Sequence, residues 1–230
     1  MVSAPSRPLL PLILGLNAGF VDTAGFLALQ GLFTSHVTGN FVTLGAALVL
    51  GTSGTLAKLL ALPVFCIMVL AARWIGTLLS HHATHPFVPL LILEVLLLTA
   101  GSLLAIHFGP FRNGDSWQAI LTGMVLVAAM AIQNAMHRVH LGSAPPSTVM
   151  TGTTTQVMLD IADTIYPRQG DERQTSRLIQ MSASVVIFAA GCGAAALLYA
   201  RFGVWCFVAP PVIAVAALIV RLVEQRKANA

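Results

Sequence analysis

Two copies of one short stretch decide the fold of this chain: Val-Thr-Gly-Asn at residues 37–40 and Met-Thr-Gly-Thr at residues 150–153. The copies are 113 residues apart, and twice this offset is almost the 230-residue length of the chain. Upstream of each copy, an apolar stretch carries one small acid or amide, Asp22 in the first and Asn134 in the second. Self-similarity at so long an offset predicts a duplicated structural unit.

The composition places this unit in a membrane. Hydrophobic residues make up 57% of the chain and charged residues only 9%, whereas soluble domains carry about 25% charged residues. Several apolar runs approach the roughly 20 residues that a helix needs to cross a bilayer. These runs are Leu9–Leu29, Leu59–Leu79, Pro89–His107, Trp117–Met136, Leu178–Ala200 and Val204–Val223. We therefore predict an all-α, polytopic helical bundle that forms a single integral membrane domain over residues 1–230.

The repeats leave two topologies open. Repeat one covers about residues 9–110 and repeat two about residues 117–223. The motif segment 37–50 is short for a span, and its counterpart 149–165 contains Asp160 and Asp163, which are costly at bilayer depth. The chain then has either six spans plus two re-entrant or broken helices, with inverted repeats, or eight spans with parallel repeats. The shortness and polarity of the motif segments favour the first.

The basic residues predict the orientation but not the number of spans. With the amino terminus inside, nine of the 12 Lys and Arg residues fall on the inner side in either topology. Cytoplasmic loops of membrane proteins carry such an excess, so we expect both termini in the cytoplasm. Because membrane topology explains the net charge of +4, we predict no nucleic-acid partner.

The two motifs are predicted to form a binding site. A helix that begins at membrane depth directs free backbone N–H groups and a positive dipole end at whatever lies before it. Two such helix ends, one from each repeat, suit a polar or anionic solute near the bilayer midplane. The alternative is that Thr and Asn cap helices and Gly packs closely. The predicted substrate-binding residues are Asn17, Thr38, Gly39, Asn40, Asn134, Thr151, Gly152 and Thr153.

Three further charged residues lie within apolar runs. Asp22, midway along the first run, is the predicted carrier of a coupling proton, because carboxylates inside spans mark ion and proton pathways. The alternative is a structural carboxylate that caps a helix or bonds the motif threonines. Arg73 and Glu94 lie at similar distances from a predicted hairpin turn at 80–87, so we expect a structural ion pair between them.

The sequence gives no positive sign of an enzyme. No nucleophile elbow, phosphate loop, zinc-protease signature or dinucleotide fingerprint occurs. Cys66, Cys192 and Cys206 follow no metal-binding spacing, and the histidines at 81, 82 and 85 form a loop cluster that nothing nearby completes. We predict no catalytic residue, no metal and no cofactor.

The same stretches carry a family resemblance. Residues 19–26 (Gly-Phe-Val-Asp-Thr-Ala-Gly-Phe), the two Thr-Gly motifs and residues 132–135 (Ile-Gln-Asn-Ala) resemble the YoaK family of small multi-pass bacterial membrane proteins. The resemblance covers essentially the full length. It implies a compact helical bundle in the bacterial cytoplasmic (inner) membrane, and it implies no substrate.

Two functions follow as hypotheses. The first is a secondary transporter or permease for a small polar solute, with an anion as the favoured class, whose partners are the lipid bilayer and a small molecule or ion. The second is a non-transporting assembly or sensor protein in which the motifs serve helix packing. The small size of the chain is compatible with a homodimer.

Overall fold

The computed structural model describes residues 9–81, 86–148, 150–165 and 172–229. Every regular element in these ranges is helical, which confirms the predicted all-α class. A 3₁₀ turn at Gly203–Val208 joins the last two α-helices. The α-helices are α1 (Leu9–Ala28), α2 (Gly39–Leu50), α3 (Thr55–His81), α4 (Phe87–Phe108), α5 (Trp117–His140), α6 (Met150–Ile165), α7 (Glu172–Phe202) and α8 (Ala209–Asn229).

The long helices are apolar enough to cross a membrane. Five stretches of the described chain have the necessary length and hydropathy, and the last of them, Thr175–Lys227, has 53 residues. This last stretch contains most of α7 and α8, which are separated at Gly203, where φ is +56°. The 12-residue helix α2 is apolar but too short to cross on its own. The chain is a multi-pass membrane protein.

Hydrogen bonds bring together the ends of α1 and α4 and the starts of α3 and α5. Gln30, just after α1, donates to the carbonyl oxygen of Phe111 at 3.0 Å and accepts from Nζ of Lys58 at 2.8 Å. The carboxylate of Asp115, before α5, accepts from the backbone N–H of Gly54, before α3, at 2.8 Å. We call this side of the bundle the distal end.

The opposite side, where α1 begins and α8 ends, is the terminal end. α1 and α7 run in the same direction, since Gly15 lies beside Ile187 and Gly19 beside Cys192. α8 runs back towards the start of α4, where the guanidinium of Arg221 lies 4.8 Å from the ring centroid of Phe87. Six helices therefore run from end to end: α1, α4 and α7 towards the distal end, and α3, α5 and α8 towards the terminal end.

α1 and α5 form the centre of the bundle. α1 packs against α7 and α8, while α5 packs against α3 and α4. The two motif helices lie outside this centre, with α2 on α3 and α6 on α7. α3 and α4 follow each other in sequence but scarcely touch, because α5 packs against both. Sequence neighbours are therefore poor guides to spatial neighbours in this bundle.

The motif helices run only part of the way between the two ends. α2 starts beside the middle of α1, because Thr34 and Ser35 bond to Asp22, and it ends at Gly51 near the distal end. α6 starts two residues after Thr148, which bonds to Asn134 in α5. It ends towards the terminal end. Each motif helix thus follows a connector that turns back into the bundle.

Close contact between α1 and α7 depends on glycine. A Cβ atom at Gly191 would lie 2.1 Å from the backbone oxygen of Leu16, a distance that forces the backbones apart. At Gly193, two residues further along α7, an added Cβ would meet nothing within 4 Å. Small residues at one position of a helix allow such close approach of membrane helices.

We expect Gly191→Ala to lower the thermal unfolding midpoint of the detergent-solubilised protein. Overpacking of a tight contact costs about 1–3 kcal/mol. Gly193→Ala is the matched control and should leave the midpoint unchanged or slightly raised, because alanine favours helix. Equal midpoints for the two variants would contradict the close α1–α7 contact.

Candidate functional site

Asp22 anchors the first connector, residues 29–38, to the middle of α1. Its side chain is buried, and Oδ1 accepts hydrogen bonds from the backbone N–H groups of Thr34 and Ser35, each at 2.8 Å. Oδ2 lies 2.7 Å from Nδ1 of His36. A carboxylate surrounded by consecutive backbone N–H groups occupies the same kind of concavity that binds free anions elsewhere. Here the anion is part of the protein.

His36 completes this contact. Its ring lies edge-on to Phe188 of α7, with 5.4 Å between ring centroids. The hydrogen bond to Asp22 raises the pKa of His36, against the opposing effect of its partial burial. Asp22 thus bonds the connector, and it contacts neither the motif threonine Thr38 nor a helix end. Proton coupling at Asp22 stays a prediction.

The groups of the first motif bind their own connector. Thr38 precedes α2 with an exposed side chain that makes no capping hydrogen bond. Gly39 lets the ring of Phe33 approach, since a Cβ there would lie 3.1 Å from it. Asn40 is buried, and its amide exchanges two hydrogen bonds of 2.8 Å with the backbone of Phe33. These contacts fix the shape of the connector.

The second motif lies apart from the first. Thr151 and Gly152 are exposed, while Thr153 is buried. The motifs are not brought to one site, because α2 packs against α3 and α6 packs against α7. Asp160 of α6 is buried and receives both Nε and Nη2 of Arg177, a pairing that lowers the pKa of Asp160.

The second connector, residues 141–149, is described except for residue 149 and borders a cavity. The hydroxyl of Thr148 donates to Oδ1 of Asn134, and Nε2 of Gln133 donates to the hydroxyl of Ser147 at 3.1 Å. Thr148 lies 113 residues after Ser35, which is the predicted repeat offset, and each of these two residues bonds the acid or amide of the preceding long helix.

This connector cavity has a volume of about 640 Å³ and lies between α3, α5, α7 and the second connector. Arg138 is exposed at its edge, and His137 is buried beneath Ala144 and Pro145. Because Arg177 is paired with Asp160, Arg138 supplies the unmatched positive charge. The polar lining consists of Asn134, His137, Arg138, Ser143, Ser147, Thr148, Arg177 and Gln180.

The predicted ion pair between Arg73 and Glu94 is not formed. Glu94 is fully buried, and neither of its carboxylate oxygens has a hydrogen-bond partner in the described ranges. Arg73 is exposed on α3 and lines a second cavity of about 350 Å³ near the terminal end. The prediction of similar depth assumed adjacent helices, but α5 packs against both α3 and α4. Asn17 is also fully buried, and its amide has no partner there.

Of the polar residues that line the cavity, only Asn134 is among the substrate-binding residues predicted from the sequence. Ser147 and Thr148 had a usable signal, since they align with Thr34 and Ser35 at the repeat offset. Gln180 and Arg177 had none, because nothing in the sequence shows which face of α7 meets the connector. His82 and His85 of the predicted loop cluster lie outside the described residues.

The comparisons identify a family. The sequence profile of the family described as "protein of unknown function (DUF1275)" matches residues 10–220. The chain belongs to the DUF1275 family. It is similar to the UPF0700 transmembrane protein YoaK of Bacillus subtilis (strain 168), with 28% identity over 196 residues that cover 83% of each chain. No solved structure matches it. The predicted resemblance is thereby confirmed.

We expect Asp22→Ala to destabilise the protein markedly. The substitution leaves the buried N–H groups of Thr34 and Ser35 without acceptors, and each unsatisfied buried group costs about 1–3 kcal/mol. Asp22→Asn should cost less, since its amide oxygen still accepts. Thermal unfolding in detergent measures both effects, with the exposed Asp163→Ala as control. If Asp22→Ala unfolds at the same temperature as the control, Asp22 does not anchor the connector.

Proposed function

We propose that this protein is a secondary transporter or permease for a small polar solute, with an anion as the favoured class. The binding site is the connector cavity, and this cavity is the observation that carries the proposal. Its volume of about 640 Å³ lies within the range of roughly 300–1,000 Å³ that is usual for small-molecule sites. Apolar walls from α3 and a few polar groups from α5 and the second connector line it, as such sites require.

The charge of the cavity favours an anion. Arg138 forms no ion pair in the described part of the chain, whereas the neighbouring Arg177 is held by Asp160. The hydroxyl groups of Ser147 and Thr148 and the amide of Gln180 can orient a carboxylate or phosphate beside the guanidinium. A planar guanidinium group can donate two parallel hydrogen bonds to either kind of anion.

The arrangement of helices supports a transporter built from inverted repeats. α1, α3 and α4 run opposite to their counterparts α5, α7 and α8. The pairings also recur when the halves are exchanged, since α1 packs on α7 as α5 packs on α3. Inverted repeats with discontinuous helices are typical of secondary transporters. In this proposal six helices span the membrane and the two motif helices are re-entrant.

The distribution of basic residues favours a cytoplasmic position for the cavity. Arg73, Arg138, Arg177, Arg221, Arg226 and Lys227 lie towards the terminal end, against Lys58, Arg112 and Arg201 towards the distal end. The excess on one side predicts that the terminal end faces the cytoplasm of the bacterial inner membrane.

The two connectors differ in a way that suits alternating access. The backbone of the first connector is hydrogen-bonded to Asp22 and Asn40, while the second connector borders an open cavity. Exchanging the conformations of the two halves would close the cytoplasmic cavity and open one at the distal end. The structure thus corresponds to an inward-open state in this proposal.

A non-transporting assembly or sensor protein is the second candidate. It is favoured by the first motif, whose buried polar groups bind only their own connector. Cysteine scanning separates the two functions. In a background without native cysteines, polar thiol reagents should reach cysteines at Ser143, Ser147 and Gln180 if the cavity is a solute site, and uniform protection would favour the assembly role.

We expect Arg138→Gln to weaken anion binding about tenfold or more, because a charge-assisted hydrogen bond contributes about 1.5–3 kcal/mol. Ligand-induced thermal shift over inorganic phosphate, acetate and succinate identifies an anion, and uptake into proteoliposomes then tests transport. Arg201→Gln is the matched control, since Arg201 is exposed near the distal end and lies over the ring of Phe202. Equal binding by both variants would remove Arg138 from the site.

A further inference from the structure

Three polar side chains of the bundle interior lie at similar distances from the terminal end, on three different helices, and we call this set the polar layer. Asn17 is eight residues from the start of α1, Glu94 is seven from the start of α4, and Gln133 is seven from the end of α5. All three helix ends lie at the terminal end, so each side chain is about 10–12 Å from it at 1.5 Å per residue. Each of the three residues is fully buried.

These side chains share an unusual lack of partners. In the described part of the chain, both oxygens of Glu94, both polar atoms of Asn17 and Oε1 of Gln133 have no hydrogen-bond partner. Nε2 of Gln133 donates to the backbone oxygen of Leu14 at 3.1 Å, which links α5 to α1 one turn from Asn17. This bond fixes the orientation of the amide and leaves Oε1 as a free acceptor.

The side chains around the polar layer are apolar and cannot balance the charge of Glu94. Leu14, Leu91, Leu98 and Met130 are fully buried on the same three helices. An ionised carboxylate without a partner in such an interior costs several kcal/mol, and an unsatisfied buried amide costs about 1–3 kcal/mol. A positively charged ligand would remove the cost of the unpaired carboxylate.

We propose that Glu94, together with the amide oxygens of Asn17 and Gln133, binds one monovalent cation, either a proton or a sodium ion. One carboxylate and two neutral oxygens balance a single positive charge, whereas a divalent cation would leave a net charge in the apolar interior. Oxygen atoms are the ligands that hard cations prefer. The further role of this cation in driving transport rests on the proposed function, but its binding does not.

This inference moves the coupling carboxylate from Asp22 to Glu94. The charge of Asp22 is already matched by backbone N–H groups and His36. Glu94 has none of these contacts. Of the two carboxylates in the middle of the bundle, only Glu94 therefore has free capacity for a cation.

The smaller cavity lies one helical turn from Glu94. It opens between α3, α4 and α5 near the terminal end and is lined by Leu90. The described titratable or charged groups that flank this region from the elements packed against α4 are Arg73 on α3, His137 and His140 on α5 and Arg221 on α8. The histidines also titrate, so only the difference between wild type and a Glu94 variant isolates the site.

Thermal unfolding of the purified full-length protein tests sodium. We expect sodium chloride to raise the unfolding midpoint by several degrees relative to choline chloride at equal ionic strength. Glu94→Gln should abolish this difference and should itself fold, because it keeps the shape and removes an unpaired charge. Glu224→Gln, a partly exposed carboxylate near the end of α8, should keep it. Asn17→Leu should reduce the difference in midpoint between sodium chloride and choline chloride while leaving Glu94 in place.

Infrared spectroscopy tests the proton. If sodium has no effect, the wild type should show a protonated carboxyl C=O band that shifts on deuterium exchange, persists in Glu224→Gln and is absent in Glu94→Gln. Asn17→Leu should shift the frequency of this band, so the test survives if Glu94→Gln fails to fold. The absence of both the sodium effect and the band overturns the proposal. Anion binding is a separate readout, so its failure would remove the transport role and leave the cation site standing.

Discussion

The bond between the Asp22 carboxylate and the backbone of the first connector is the contact on which the arrangement of helices depends. Backbone that is not helical at membrane depth must have its N–H groups satisfied by protein. Asp22 accepts from two of these groups at 2.8 Å, and Asn40 satisfies the N–H and C=O groups of Phe33. With these bonds the chain can turn back into the bundle and start α2 beside the middle of α1.

The second connector is held by weaker hydrogen bonds than the first, and this difference accounts for the cavity beside it. Asn134 and Gln133 are neutral and reach the hydroxyl groups of Thr148 and Ser147, whereas Asp22 makes charge-assisted bonds to backbone N–H groups. Charge-assisted hydrogen bonds are roughly twice as strong as neutral ones. The connector that is held less strongly is the one that stands away from α3 and leaves about 640 Å³ beside it.

The sequence was sufficient for the helical class, the apolar stretches and the positions of the two connectors, because each depends on local composition or on the repeat itself. It was not sufficient for the partners of the polar groups. The side-chain amide of Asn40 could bind either a solute or the backbone of Phe33. Only the path of the connector determines which of the two it meets. The predicted Arg73–Glu94 ion pair was wrong because the distance of a residue from a hairpin turn gives its depth along a helix. That distance does not show which helix lies beside it.

Asp22 and Glu94 show why depth and residue type alone do not identify a functional carboxylate. Both are buried in the middle of apolar helices, and the sequence singles out Asp22 because it precedes the Thr-Gly motif. The hydrogen bonds in the structure single out Glu94 instead, because Asp22 has partners and Glu94 has none in the described residues. A carboxylate whose oxygens are filled by backbone donors is held in one state by the fold, and losing its charge would release the connector. In the proposed cation site, a carboxylate without partners lies at the depth of two amide oxygens that also have none, and it can gain and lose a cation while every helix around it stays in place. The presence or absence of hydrogen-bond partners therefore distinguishes a structural carboxylate from one that can bind a cation.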